Sequence, residues 1–139
     1  MTDALLVCVT NGGTSQMAAG LLRALVADDA EPGRWQVGSA GTRAGTTLHA
    51  LSVASLADVG VDITDQEPRQ LTPELPESAD LVVTVGEAEV EHLQRPRHEV
   101  WQIDEPSLRG VDGPEHMALV RDDVARHVDE LHQRLTAAR

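Results

Sequence analysis

The chain has 139 residues, which suits one domain with a single core, and we assign residues 1–139 to that domain. Its net charge is −12, all eleven basic residues are arginines, and 41% of its residues are apolar. An acidic chain disfavours nucleic acid and anionic membranes as partners, and no apolar run is long enough for a membrane span. The single cysteine excludes an internal disulfide, and the N-terminus lacks a signal-peptide pattern, so we expect a cytoplasmic protein.

Strands and helices alternate along the chain. The predicted strands are residues 5–7, 34–38, 81–85 and 100–103. The predicted helices are residues 15–28 with Ser15 as N-cap, 47–59 ended by Gly60, 87–94, and a last one from Asp112 to Leu135. This alternation is typical of βαβ units, so we expect an α/β fold with a parallel sheet and helices on both faces.

The stretch between the first strand and the first helix, residues 8–15 (the Cys8 loop), is the candidate site. Gly12 and Gly13 allow the backbone to take positive φ and turn its N–H groups inward, and the loop runs into a helix N-terminus, where N–H groups are unpaired. Such a loop binds oxyanions, and Cys8 at its mouth is a candidate nucleophile. The proposed oxyanion-binding residues are Val9, Thr10, Asn11, Gly12, Gly13, Thr14 and Ser15.

Simpler interpretations of the same residues remain open. A cysteine that ends a buried strand can serve as a small apolar side chain, and Asn-Gly-Gly can be only a tight turn. In favour of a site, Cys8, Ser39 and Asp104 all lie at or just beyond the carboxyl ends of predicted strands, where ligands bind in parallel sheets. The six histidines have no i,i+4 pairing and no neighbouring cysteines, so we expect no metal site.

These residues resemble a known family. Cys8, five residues and then Thr14-Ser15 resemble the active-site loop of the low-molecular-weight protein tyrosine phosphatase superfamily, and residues 15–19 resemble its arsenate reductase branch. Residues 39–42 are similar to the family's second-strand motif, and Asp104-Glu105-Pro106 is similar to its acid loop. The resemblance implies a three-layer sandwich around a four-stranded parallel sheet of order 2-1-3-4. The family's loop carries an arginine where this chain has Thr14.

The resemblance also implies a chemistry. Cys8 would attack arsenate, and Glu105 or Asp104 would protonate the leaving oxygen. Ser39 and Arg43 are accessory candidates, Arg43 because it could supply the charge that Thr14 lacks. With one cysteine and no bound cofactor, turnover would need an external thiol, as in single-cysteine arsenate reductases that use mycothiol and a glutaredoxin-like reductase.

Two alternatives stay open beside the reductase. The chain could be a phosphatase for a small phosphoester, or a catalytically degenerate domain that binds an anion or a protein partner. Whether it forms a homodimer is left open by the sequence.

Overall fold

The computed structural model describes residues 2–28, 35–86, 97–103 and 113–137. The elements within these ranges, in chain order, are β1 (Thr2–Cys8), α1 (Thr14–Ala27), β2 (Trp35–Gly41), α2 (Ala50–Ala57), α3 (Glu74–Glu77), β3 (Leu81–Val85), β4 (Arg97–Trp101) and α4 (Gly113–Ala137). The helix predicted over residues 87–94 and the cap predicted at Asp112 lie outside the described residues. None of the described helices is long and apolar enough to cross a membrane.

The four strands form one parallel sheet of order β2-β1-β3-β4, which confirms the predicted fold class and strand order. The central strands β1 and β3 are buried on both faces, so their side chains alternate between two apolar cores. The register places Cys8 beside Gly41, so the carboxyl ends of β1 and β2 lie next to each other.

The two cores lie on opposite faces of the sheet. On one face, Leu6 and Val83 join one cluster with Met17 of α1 and Val124 of α4. On the other face, residues of β1, β2 and β3 join a smaller cluster with the chain around α3: Leu5, Val7, Ala40, Ala79, Val82, Leu71 and Leu75. Helical segments therefore cover both faces, as the alternation predicted.

Several predicted boundaries differ from the structure. Strand β1 extends over Thr2–Cys8 rather than residues 5–7, and β2 ends at Gly41 rather than at residue 38. Two other differences have a physical reason. Strand β4 was predicted over residues 100–103, but it pairs with β3 from Arg97 to Trp101. It is an edge strand with polar residues at its start, and the prediction followed the apolar run alone. Helix α2 was predicted from residue 47 and begins at Ala50, because the chain before it donates backbone hydrogen bonds to the Cys8 loop. The helix ends at Ala57, two residues before the predicted end, and Gly60 at φ +80° follows shortly after its last turn.

Candidate functional site

The thiol of Cys8 lies where β1 passes into the Cys8 loop, and it is buried. Its Sγ is 2.9 Å from Ser15 Oγ, and it accepts a hydrogen bond from the Asn11 N–H at 3.2 Å. The thiolate is the nucleophilic form of cysteine, and hydrogen-bond donors can hold it in place. The loop therefore holds the sulfur in a fixed position next to groups that can stabilise its charge.

Asn11 organises the loop around the sulfur. It is fully buried and has φ +55°, a left-handed conformation that asparagine tolerates better than most side chains. Its Nδ2 donates to Ser15 Oγ at 2.8 Å. Its Oδ1 accepts hydrogen bonds from Gln16 Nε2 at 3.2 Å and from the Arg69 N–H at 2.8 Å. One side chain thus ties the loop, helix α1 and a distant segment together.

The expected role of the two glycines is wrong in its detail. The loop residue with positive φ is Asn11, and neither Gly12 nor Gly13 has a positive φ. Gly12 is needed for close approach instead, because a Cβ there would lie 3.0 Å from the backbone oxygen of Thr47. A side chain at this position would push the chain before α2 away from the loop.

The loop's carbonyl groups are turned outward by hydrogen bonds. Four of them accept backbone N–H groups from the chain that follows β2: Cys8 O from Thr42, Val9 O from Arg43, Thr10 O from Gly45, and Gly12 O from His49, at 2.7–3.0 Å. Gly41 permits this contact, because a Cβ there would lie 2.7 Å from the Val9 oxygen. The carbonyls are thereby kept away from the concave side of the loop, which is where an anion would bind.

The start of α1 supplies N–H donors to the same place. The helix begins at Thr14 with Gly13 as N-cap and no side-chain cap, so the prediction of Ser15 as N-cap is wrong. Ser15 lies in the first turn, and its hydroxyl bonds Cys8 and Asn11 instead. The first intrahelical bond runs from the Met17 N–H to Gly13 O, so the earlier N–H groups have no helical acceptor and can face an oxyanion.

The other predicted site residues have separate positions. Thr14 is half-buried at the first position of α1. Arg43 contacts the loop through its backbone, while its side chain is exposed and has no hydrogen bond within the described residues. Ser39 lies on β2 beside Leu6, two residues before the Cys8–Gly41 pair, and its carbonyl is bound by Arg69. Asp104 and Glu105 lie outside the described residues.

Two residues that hold the loop were not among the predicted site residues. Gln16 is 1% exposed, and its Nε2 donates both to Asn11 Oδ1 and to the Glu67 carbonyl at 3.2 Å. A glutamine between buried positions of an apolar helix face is a signal that sequence reasoning could have used. Arg69 donates its N–H from 58 residues away, and no local pattern predicts that contact.

No group of three potential metal-ligating side chains comes together within the ranges that the structure describes. The donors at the loop are backbone N–H groups, a hydroxyl and an amide. Their arrangement suits a tetrahedral oxyanion placed against a sulfur nucleophile.

Comparisons with known proteins agree with this geometry. Residues 3–139 match the family model described as low molecular weight phosphotyrosine protein phosphatase. An arsenate reductase of Bacillus subtilis is 31% identical over 131 residues, which cover 89% of this chain and 90% of the relative.

Two solved structures are also similar. A thioredoxin-dependent arsenate reductase of Corynebacterium glutamicum has a TM-score of 0.81 and 25% identity; the match covers 100% of this chain, which spans 64% of that protein. An arsenate reductase in its phosphate-binding state has a TM-score of 0.77 and 25% identity, with 96% of this chain and 98% of that one covered.

Proposed function

Because the chain belongs to the low molecular weight phosphotyrosine protein phosphatase family and has arsenate reductases among its relatives, we propose that it reduces arsenate to arsenite. The observation that carries the proposal is the position of Cys8. Its sulfur accepts the Asn11 N–H and lies 2.9 Å from Ser15 Oγ, at the mouth of a loop whose carbonyls are turned away. A nucleophile beside an anion-binding loop is the arrangement that arsenate chemistry requires.

In the first step, the Cys8 thiolate attacks arsenic and forms a sulfur–arsenic bond, while one arsenate oxygen leaves as water. The N–H groups of the Cys8 loop hold the remaining oxygens. Asp104 or Glu105 is proposed as the acid that protonates the leaving oxygen. Arsenic is still in its pentavalent state after this step.

In the second step, an external thiolate attacks the Cys8 sulfur. The sulfur–arsenic bond breaks, its electron pair goes to arsenic, and arsenite leaves with a mixed disulfide on Cys8. A second thiol then restores the Cys8 thiolate and forms the external disulfide. Two thiols are oxidised for each arsenate reduced. Since the chain has one cysteine, we propose a mycothiol-like thiol as co-substrate and a glutaredoxin-like reductase as the partner that recycles it.

The experiment measures arsenite formed from arsenate by the purified protein in the cytoplasmic pH range. One arm contains mycothiol with its glutaredoxin-like reductase, another contains thioredoxin with its reductase, and a third contains no thiol. We expect arsenite in the mycothiol arm, none without thiol, and none with Cys8→Ser. Arsenite only in the thioredoxin arm would reject the proposed thiol while keeping the reaction.

One residue favours a second candidate, a degenerate domain that binds an oxyanion without turnover. Thr14 can offer one neutral hydrogen bond in place of the bidentate cation that the family has there. Loss of one preorganised donor costs on the order of 10²-fold or more in rate. Thr14→Arg should therefore raise arsenite formation by about that factor if the rest of the site is competent. No arsenite from either the natural protein or Thr14→Arg, both folded and both binding phosphate, would favour the degenerate domain.

The same preparations test the phosphatase alternative, because a phosphatase needs no thiol. Hydrolysis of a small aryl phosphate that depends on Cys8, without arsenite in any thiol arm, would replace the reductase by the phosphatase.

A further inference from the structure

A polar cleft lies along the open edge of β2, beside the Cys8 loop and separate from it. Its volume is about 370 Å³, which is in the range of sites for small ligands. Arg23 of α1 and Arg69 line it, with Gly38 and Ser39 of β2 between them. We call it the arginine cleft. A chain with a net charge of −12 places two of its eleven basic residues here.

Backbone carbonyls hold both guanidinium groups. Arg23 donates to Val37 O through Nε at 3.3 Å and Nη2 at 3.1 Å, and Arg69 Nε donates to Ser39 O at 3.1 Å. These two carbonyls point the same way from β2, toward the edge that faces away from β1, because carbonyl directions alternate along a strand. Each guanidinium has five N–H donors, so both keep donors to spare. Within the described residues, neither forms an ion pair with a carboxylate.

The two cations are close enough to affect each other. Burial lowers the pKa of Arg23, nearby Asp65 opposes this shift, and the charge of Arg69 lowers the pKa further. The hydrogen-bond partners of both cations are neutral oxygens, while the carboxylates of Asp65 and Asp3 lie near enough to offset part of their mutual repulsion. A bound anion would add direct charged hydrogen bonds to both guanidinium groups. The absence of a side chain at Gly38 leaves room for the Arg69 guanidinium, since a Cβ at residue 38 would lie 2.9 Å from Arg69 Nη2.

We propose that the arginine cleft is a second oxyanion site, which binds a small molecule that carries a phosphate group. The two guanidinium groups hold the phosphate oxygens from two sides. Asp3 and Glu67 also line the cleft and accept hydrogen bonds from hydroxyl groups of the ligand or of a protonated phosphate. A ligand with no O–H group leaves these carboxylates facing an anion, so the cleft selects hydroxyl-bearing phosphates.

The cleft is connected to the Cys8 loop through one short segment. The Arg69 N–H donates to Asn11 Oδ1, and the Glu67 carbonyl accepts a hydrogen bond from Gln16 Nε2. The same residues thus form a wall of the cleft and hold the Cys8 loop. A phosphate that fixes Arg69 would stabilise the loop conformation, so the two oxyanion sites would be coupled.

The test is a titration with inorganic phosphate against sodium chloride at constant ionic strength, followed by NMR of the arginine Nε–H groups and of the loop amides. We expect the Arg23 and Arg69 signals to shift and saturate with a midpoint of their own. Arg23→Gln should raise the phosphate concentration at this midpoint by about tenfold or more, because a charged hydrogen-bond donor is lost. Gly38→Ala, which keeps both charges but displaces Arg69, should also raise it.

The matched control is Arg126→Gln, because Arg126 lies on the exposed side of α4 and is paired with Asp123 at 2.7 Å. This variant should change neither the midpoint of the Arg23 and Arg69 signals nor that of the loop amides. The proposal is overturned if the Arg23 and Arg69 signals shift linearly and equally in phosphate and chloride, since the arginines would then only cap the β2 edge. It is also overturned if their midpoint equals that of the loop amides in every variant. Neither result depends on arsenate turnover, so the test is independent of the proposed reaction.

Discussion

Replacement of Asn11 by alanine tests the organisation of the Cys8 loop. Alanine at φ +55° costs about 1 kcal/mol more than a residue that tolerates this conformation. The N–H of Arg69 loses its acceptor, which costs about 1–3 kcal/mol for a partly buried donor. We therefore expect Asn11→Ala to lower the free energy of unfolding by about 2–4 kcal/mol, a large share of a typical domain's stability.

Two further variants separate the contributions. Asn11→Gly removes the same hydrogen bonds but relieves the left-handed backbone, so it should be more stable than Asn11→Ala by about 1 kcal/mol. Asn11→Asp keeps the acceptor for Gln16 and Arg69 but loses the donor to Ser15 and adds a charge beside Cys8. It should keep most of the stability and bind phosphate more weakly.

The assay is urea unfolding, followed by the fluorescence of the two buried tryptophans and by circular dichroism. With an m-value of about 1–3 kcal/mol per M, the midpoint of Asn11→Ala should fall by roughly 1–2 M. A midpoint within about 0.3 M of the natural protein would refute the energetic role of Asn11. Equal stability of the alanine and glycine variants would refute the backbone argument.

Three other predictions follow from the structure. Gly41→Ala should lower the free energy of unfolding by about 1–3 kcal/mol and abolish phosphate binding at the Cys8 loop, because the new Cβ meets backbone atoms at 2.7–2.9 Å. Gly45→Ala, whose new Cβ has its nearest neighbour at 3.9 Å, is the control and should change neither the urea midpoint nor the phosphate titration. Ser15→Ala should slow alkylation of the single thiol by iodoacetamide about tenfold, since a 2.9 Å partner of the sulfur is lost; an unchanged rate would contradict its role. Burial and the nearby carboxylate of Asp80 raise the pKa of Asp3, so the folded state binds this proton more tightly than the unfolded state does, and stability falls as the pH rises through the titration range of Asp3. Asp3→Asn should therefore be more stable than the natural protein at pH 7 and lose this advantage below about pH 4. An advantage that is equal at both pH values would contradict the assignment.

The sequence was sufficient for the fold because its central elements have strong local patterns. Strand β3 is apolar at four of its five positions and buried at all five, and the apolar residues of α4 recur at helical spacing, so both elements are predicted correctly. The edge strand β4 was misplaced because only part of it is buried, and a half-buried strand has a weak apolar signal.

For the site, local pattern located the loop but not what holds it. The cysteine, the glycines and the helix start are adjacent in the chain, so the sequence alone predicts the loop. The contacts from Arg69 and from residues 42–49 join segments far apart in the chain, and such pairings depend on how the elements pack. The left-handed residue was assigned to the glycines because they adopt that conformation most easily, but the buried hydrogen bonds of Asn11 decided its place.

The most direct test of the central claim is a single turnover with the protein in excess over arsenate and with one equivalent of a monothiol per arsenate, so that no second thiol remains to release Cys8 from the mixed disulfide. The account predicts one arsenite per arsenate consumed, together with an equal amount of protein that carries the thiol in disulfide linkage to Cys8, identified by mass spectrometry of the peptide. The Cys8→Ser variant should yield neither product. Arsenite formed at the same rate by Cys8→Ser, or formed while Cys8 stays unmodified throughout the turnover, would contradict the assignment of Cys8 as the nucleophile.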